Sequence, residues 1–390
     1  MLFKVPNHND FYGDILMKIS SIDTWNFNVP LKVSFKHALA ERNVSDSIFA
    51  KITLEDGSTG YGEALPRAYV TGETTQTAKD AIDNKFSKLL IGKAFNNYSD
   101  VKETILSFLD DSSLGKNLTA ICAIELALLN ALCNSKKESI YSFLGVTPKV
   151  KRVRYSMIIS ADNLAKIKKH TNGAKRLNIR DMKIKVTEST AQNEECLRLV
   201  KKLYPKANLR VDANCAWDVA LSRENIDMML PYGIKSVEQP LKKEDLEGYK
   251  ELVSYYSHPL ICLDESMCSY QDAKTYIENK AATAFNIRIS KNGGLTNALR
   301  IYNLAEQNSI RCQLGAQVGE TAVLSSFGRI FAAITGNLSF HEGSFGRLLI
   351  KEDIIKKRYT FGCGGYGKTK IKDYGIGISV DENVIERYSG

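Results

Sequence analysis

Between residues 181 and 290 one theme recurs: DMKIKV (181–186), NLRVDAN (208–214), IKSVEQP (234–240), LICLDES (260–266) and AFNIRIS (284–290). Each is a short apolar run that ends in charged or amide side chains. Amphipathic stretches with helical spacing fill the gaps, among them Ala191–Leu203, Ser222–Leu230, Asp272–Glu278 and Leu295–Gln307. On either side the pattern continues: VRYSMII (153–159) precedes the series, and RCQLGA (311–316) and NLSFHEG (337–343) follow it. Strands alternating with helices argue for a parallel sheet and an α/β fold. An open doubly wound sheet satisfies the pattern, but eight near-equal units over about 190 residues favour a closed (β/α) barrel.

The polar strand ends are Lys183 and Lys185, Asp212 and Asn214, Glu238, Asp264 and Glu265, Arg288, and His341. The steps from Lys185 to Asp212, Glu238, Asp264 and Arg288 are 27, 26, 26 and 24 residues, one βα unit each. These side chains are therefore expected at one level of one barrel mouth, where barrel active sites lie. Three carboxylates crowded there repel one another unless a cation separates them. An all-oxygen donor set suits Mg²⁺, which makes Asp212, Glu238 and Asp264 candidate metal ligands. Acidic residues after strands also serve as helix N-caps, which accounts for any one of them more easily than for three in step.

Lys183 and Lys185 point to the same face of their strand, because alternate residues do. Two adjacent ammonium groups are expected to depress each other's pKa toward a value useful in a general base. A solvated strand edge is the plainer alternative.

The first third of the chain has a different rhythm. MKISSIDTWNFNVPLKVSF from Met17 reads as a strand, residues 47–54 and 60–64 as two more, and residues 77–144 as helical. Leu118–Leu132 is apolar nearly all round, the mark of a buried helix. Residues 1–16 lack a clear period and read as an extension. The tail from about Leu349 returns to polar loops with one strand-like piece, Tyr374–Val380.

The chain of 390 residues has 44% hydrophobic and 25% charged residues and a net charge of +9 from 53 Lys+Arg and 44 Asp+Glu. That composition excludes fibrous and wholly disordered classes. No apolar run approaches the roughly 20 residues of a spanning helix, so no membrane role is expected. The basic excess is dispersed rather than gathered in a patch, which argues against a nucleic-acid partner and suits a small anionic one. The 8 cysteines form no CxxC pair and sit mostly in apolar runs, as buried thiols of a reducing compartment do. With no signal-peptide pattern, a cytoplasmic location is expected.

Several motifs together carry a resemblance: Gly60-Tyr-Gly-Glu63-Ala64, Val70-Thr-Gly-Glu73, Lys183-Ile-Lys185, Asp212-Ala-Asn214, Val237-Glu238-Gln-Pro240, Asp264-Glu265-Ser266 and Lys291-Asn-Gly293-Gly294. The sequence resembles the enolase superfamily, in the mandelate racemase/muconate lactonizing enzyme subgroup that also holds dipeptide epimerases and o-succinylbenzoate synthases. The resemblance implies a modified TIM barrel, (β/α)7β, over residues 151–348. It implies an α+β capping domain over 17–150, completed by 349–390. It also implies Mg²⁺ on Asp212, Glu238 and Asp264. Lys185 would then remove the proton α to a substrate carboxylate, giving a metal-stabilised enediolate. A small carboxylate is the expected substrate, and a homo-oligomer the expected assembly.

Two positions depart from the subgroup. Its sixth strand usually ends Asn-Ile-Lys with that lysine facing Lys185, where this chain has Asn286-Ile287-Arg288. Arginine is a poor acid and base, which favours one-base chemistry, a cycloisomerase or syn-lyase, over epimerisation. Lys291 is the runner-up for the missing acid. Dipeptide epimerases usually carry Asp-x-Asp on the eighth strand, where this chain has His341-Glu342, leaving Glu342 to bind an ammonium group. Phe35, Lys36, Arg67 and Tyr69 in the cap, and Asn214, Gln317, Glu320 and His341 at the barrel, complete the candidate substrate contacts. The alternatives are a dipeptide or amino-acid epimerase and a barrel that binds metal and ligand without turnover.

Overall fold

A computed structural model describes residues 17–37, 40–161 and 163–389, apart from the side chains of residues 33–41. The expected N-terminal extension and the side chains of Phe35 and Lys36 lie outside the described residues.

The N-terminal part is an antiparallel sheet of β1 (Met17–His37), β2 (Ala40–Leu54), β3 (Thr59–Ala64) and β4 (Ala94–Phe95), in the order β3-β2-β1-β4. The helix Leu118–Ser135 packs on β3, with every residue from Leu118 to Cys133 buried. Two glycines of the GYGEA motif permit that contact. A Cβ on Gly60 would lie 2.1 Å from the Ala131 nitrogen, and one on Gly62 would lie 1.9 Å from the Ala123 carbonyl oxygen. This helix is long and apolar enough to cross a membrane, but 89% of it is buried inside the protein.

The first stretch expected as one strand, 153–159, is two. β5 (Arg152–Arg154) pairs instead with β13 (Tyr366–Lys368) in the tail. The barrel strands are β6 (Met157–Ser160), β7 (Asp181–Lys185), β8 (Asn208–Asp212), β9 (Ile234–Glu238), β10 (Leu260–Leu263), β11 (Ala284–Ile287) and β12 (Arg311–Leu314). They run parallel and adjacent in chain order. The eighth stave is short. Leu314 N donates to Phe340 O at 2.9 Å, Glu342 N to Leu314 O at 2.8 Å, and Ser156 N to His341 O at 2.9 Å. Those bonds close the ring between β12 and the start of β6, which decides for the barrel over the open sheet.

The tail returns to the first sheet through bridges Phe27–Ser389 and Leu31–Ile350, and ends in the helix Glu382–Tyr388. Buried carboxylates fasten the sheet-and-helix cap to the barrel. Glu63 on β3 accepts from Thr321 N at 3.0 Å, Thr321 Oγ1 at 2.7 Å and Leu324 N at 3.1 Å, so it caps the barrel helix Ala322–Thr335. Glu125 accepts from Thr296 N at 2.8 Å and caps the helix Leu295–Gln307. A carboxylate at a helix N-terminus satisfies free N–H groups and meets the positive end of the dipole.

Candidate active site

Strand register assembles the mouth. Lys185 is the cross-strand partner of Asp212, and Asp212 of Glu238. Because side chains alternate, the residues two positions earlier on the same face form a layer below: Lys183, Arg210, Asn286 and Gln313, all buried.

Lys183 is the hub of that layer. Its Nζ lies 2.6 Å from Glu238 Oε1, 2.9 Å from Asp212 Oδ2 and 3.0 Å from Glu342 Oε1. Burial alone would lower its pKa, but the three carboxylates outweigh burial and raise it. The expected mutual depression of the two lysines therefore fails at Lys183, which is a permanent cation. Lys185 is different. Its Nζ donates to Asn214 Oδ1 at 2.7 Å, lies 3.4 Å from Asp212 Oδ2, and keeps 14% of its side chain exposed against 2% for Lys183.

Glu238 is satisfied from below as well, by Asn286 Nδ2 at 3.1 Å and Gln313 Nε2 at 2.7 Å. Arg288 forms an ion pair with Asp264 and lies 4.0 Å from Glu238 Oε1. Its NH1 donates to Gln317 Oε1 at 3.0 Å. Glu265 is buried against Asp212 and Glu238, and desolvation followed by those two charges lifts its pKa to about 7. Three non-glycine residues directly after β8 and β9 have left-handed backbones: Asn214 (φ 47°), Cys215 (φ 64°) and Gln239 (φ 42°). Strain of this kind concentrates where side chains must be aimed.

Asp212 Oδ2 and Asp264 Oδ2 are buried against the cations of Lys183 and Arg288, while Glu265 Oε2 is buried with no hydrogen-bond partner. An all-carboxylate donor set of this kind fits a hard divalent cation. The oxygens are not gathered around one point. Among the described residues no three Asp, Glu, His or Cys side chains form a metal-ligand group. Lys183 bridges Asp212 to Glu238, and Arg288 bridges Glu238 to Asp264.

Four expected contacts are placed otherwise. Lys291 Nζ donates to Asp264 O (2.6 Å), Met267 O (2.7 Å), Asn286 O (3.0 Å) and Asp264 Oδ1 (3.1 Å), so it knits two loops together and is no proton donor to substrate. Glu342 is sequestered by Lys183 and by Arg210, whose NH2 is 2.5 Å away, so no carboxylate is left there for an ammonium group. His341 has Asp181 and Arg154 as its electrostatic neighbours, at the strand end opposite Lys185, and burial lowers its pKa to about 4. Arg67, 1% exposed, donates to Asp46 Oδ1 at 3.0 Å, Pro66 O at 2.7 Å and Val318 O at 3.2 Å, and so ties β2 to the loop after β12. Tyr69 is half-buried beside it. Glu320 is buried near Arg288, accepts from Gln317 N at 2.6 Å, and is lifted to about 8 mainly by desolvation.

Sequence reasoning missed the lower layer, Arg210, Asn286 and Gln313, and also Gln239. Gln239 accepts from Asp264 N at 2.8 Å and Ser266 N at 3.2 Å and so aims the Asp264 loop. The signal for most of the lower layer was present: Lys183, Arg210 and Asn286 stand two residues before Lys185, Asp212 and Arg288.

Comparison with known proteins matches residues 19–145 to the mandelate racemase/muconate lactonizing enzyme N-terminal domain and 166–384 to the enolase C-terminal domain-like family. The L-Ala-D/L-Glu epimerase of Clostridium acetobutylicum is 30% identical over 314 residues, 80% of this chain and 86% of that protein. The L-Ala-D/L-Glu epimerase of Bacillus subtilis, solved with a bound substrate, superposes with a TM-score of 0.83 at 26% identity, covering 93% of this chain and 99% of its own. The muconate lactonizing enzyme of Pseudomonas fluorescens, solved with muconolactone, gives a TM-score of 0.87 at 26% identity over 96% and 100%.

Proposed function

Because the chain belongs to the mandelate racemase/muconate lactonizing enzyme family of the enolase superfamily, we propose that it removes the proton α to the carboxylate of a small substrate by one-base chemistry, as a cycloisomerase or syn-lyase. One observation carries this reading: the mouth offers an amine, Lys185, on one side and a guanidinium, Arg288, tied at both ends on the other.

Lys185 is the base, since it is the more exposed lysine of its pair and its hydrogen bond to Asn214 holds it across the mouth. Lys183 stays charged and holds Asp212, Glu238 and Glu342 together. Arginine is a poor general acid, so Arg288 serves as a fixed positive charge toward the oxygen on which negative charge builds. Asp212, Glu238 and Asp264 would hold Mg²⁺, with Glu265 beside them. Bound there, the metal supplies Lewis-acid polarisation of the substrate carboxylate.

A second reading, dipeptide or amino-acid epimerisation, is favoured by the epimerase relatives. The two diverge in stereochemistry. Dipeptides and N-acyl amino acids incubated in D₂O and followed by NMR should show α-deuterium with configuration retained, and an unsaturated diacid should take up one α-deuterium as it cyclises. Inversion at the α-carbon establishes the epimerase instead.

A further inference from the structure

Part of the basic excess that is spread thinly over most of the sequence is gathered on one flank of the barrel. Residues 163–180 hold Lys166, Lys168, Lys169, Lys175, Arg176 and Arg180 with no Asp or Glu among them, which is six of the nine net positive charges of the chain. All six are exposed. Asp181, the acid that follows, is buried and taken by Arg154 at 2.7 Å. Among the described residues none of the six forms an ion pair. Neighbouring like charges on a helix destabilise it. His170 registers their field, since its pKa is depressed by partial burial and then by Lys169 and Lys166.

The helix Leu164–Arg176 buries Ile167, Thr171 and Ala174 against the barrel. At 3.6 residues per turn, Lys169, Gly173 and Arg176 then point outward. Lys169 and Arg176 stand about 10 Å apart along the axis, with no side chain at Gly173 between them. A Cβ there would meet nothing within 4 Å, so packing does not require that glycine. A shallow depression of about 450 Å³ lies on this face, lined by Lys169, Asn172, Lys175 and Arg176. The charge continues past the helix. Gly364 N donates to Leu177 O at 2.6 Å, which seats the loop before β13 on the helix end. β13 pairs Lys368 with Arg152 of β5, two exposed cations directly opposite each other. Such a pair weakens a sheet. The ring of Tyr366, 43% exposed, lies over Gly364, where a Cβ would come 2.7 Å from it. Arg180 stands immediately before β7, at the strand end opposite Lys185, so this face is remote from the mouth.

We propose that this face binds the phosphodiester backbone of a single-stranded nucleic acid independently of sequence, with Tyr366 as a stacking platform for a base. Crowded cations without counter-charges fit a repeating anion. A basic track beside an exposed aromatic ring is how single strands are held. A bilayer fits less well, because a helix lying on a membrane turns its apolar side outward, and here that side is spent on the barrel. The dispersal of charge that argued against a nucleic-acid partner does not extend to this face.

The test is fluorescence anisotropy of a labelled oligothymidylate of about 20 residues, titrated with the full-length protein at several salt concentrations. Wild type should bind, with a slope of log affinity against log salt of about −0.7 per phosphate contacted, or about −3 for four contacts. Lys169→Glu/Arg176→Glu should bind at least ~10-fold more weakly and with a shallower slope. Lys169→Gln/Arg176→Gln, the milder pair should charge reversal disturb the helix, should lose at least ~3-fold. Tyr366→Ala should lose at least ~5-fold with the slope unchanged. Lys85→Glu/Lys88→Glu, the same change in net charge on exposed cap lysines, should bind as wild type does. No binding by wild type at low salt, or an equal loss in the cap variant, overturns the assignment of this face. An unchanged affinity in Tyr366→Ala overturns the stacking platform. Tighter binding to phosphatidylserine vesicles, or displacement of the oligonucleotide by polyglutamate at equal charge, overturns the phosphodiester assignment in favour of a bilayer or an acidic protein segment.

Discussion

Lys183 Nζ lies 2.6 Å from Glu238 Oε1, with 2% of one side chain and none of the other exposed. Removing one partner of a buried ion pair costs about 3–5 kcal/mol, because the charges left behind are unpaired. Lys183→Met should therefore lose about that much in urea unfolding with chelator present. Lys185→Ala, which removes a partly exposed amine bonded to Asn214 at the mouth, should lose less, about 1 kcal/mol, yet slow α-proton exchange by at least ~10². Equal stabilities for the two variants would refute the division of labour within the Lys-x-Lys pair.

Gly62 and Gly173 should respond to alanine in opposite directions. At Gly62 the new methyl would lie 1.9 Å from Ala123 O and 2.6 Å from Ala127 N, both backbone atoms that cannot step aside. Overpacking of this kind costs about 3 kcal/mol or more. Gly173 sits inside the helix Leu164–Arg176 with open space around its Cβ position. There alanine should add about 0.5–1 kcal/mol by restricting the unfolded chain and favouring helix. Thermal melts of the two variants decide the matter.

Glu63 gives the cap–barrel contact a pH dependence. Burial raises its pKa from 4.5 to about 7, opposed by the bonds from Thr321 and Leu324 and reinforced by Asp353. The folded state thus binds the proton more tightly than the unfolded one between pH 4.5 and 7. Stability from this group is complete below pH 4.5 and is lost as pH rises through 7, by about 3 kcal/mol at most. Glu63→Gln, which keeps an acceptor for the helix end but cannot ionise, should flatten the fall in urea midpoint between pH 5 and 7. An unchanged slope would show that Glu63 does not titrate there.

The repeat from 181 to 290 was legible because each βα unit advances by nearly the same number of residues, so Lys185, Asp212, Glu238, Asp264 and Arg288 came into line by counting. The eighth stave was legible as a unit at 337–343, but its pairing is a few bonds around Phe340 and Glu342 and nothing local sets which of its residues face inward. His341 and Glu342 were misread for that reason. Lys291 looked like a proton donor because the carbonyls that surround it come from Asp264, Met267 and Asn286, up to 27 residues away. The capping roles of Glu63 and Glu125 join elements 258 and 171 residues apart, beyond any periodicity.

If Asp212, Glu238 and Asp264 hold Mg²⁺, the ion stabilises the folded state by mass action, about 2.7 kcal/mol at 100 times its dissociation constant. Wild type should melt at a higher temperature in Mg²⁺ than in chelator, and Asp212→Asn should not respond. The comparison also reads the local electrostatics, because a bound dication must displace Lys183 or Arg288 from the carboxylates they now bridge. A melting temperature indifferent to Mg²⁺ in wild type would remove the metal from the mechanism.

Arg288 is the residue on which one-base and two-base chemistry separate. Its guanidinium is held by Gln317 on one side and Asp264 on the other. Lysine at this position keeps the charge but reaches Asp264 with a group that can give up and take back a proton. Arg288→Lys should thus complete a second face for proton delivery opposite Lys185. With a single enantiomer of an N-acyl amino acid in D₂O, wild type should introduce deuterium with the starting configuration retained, whereas the variant should also produce the labelled opposite enantiomer, resolved by chiral chromatography. A wild-type protein that already racemises its substrate would show that another group, with Glu320 the nearest titratable neighbour of Arg288 on that loop, delivers the second proton.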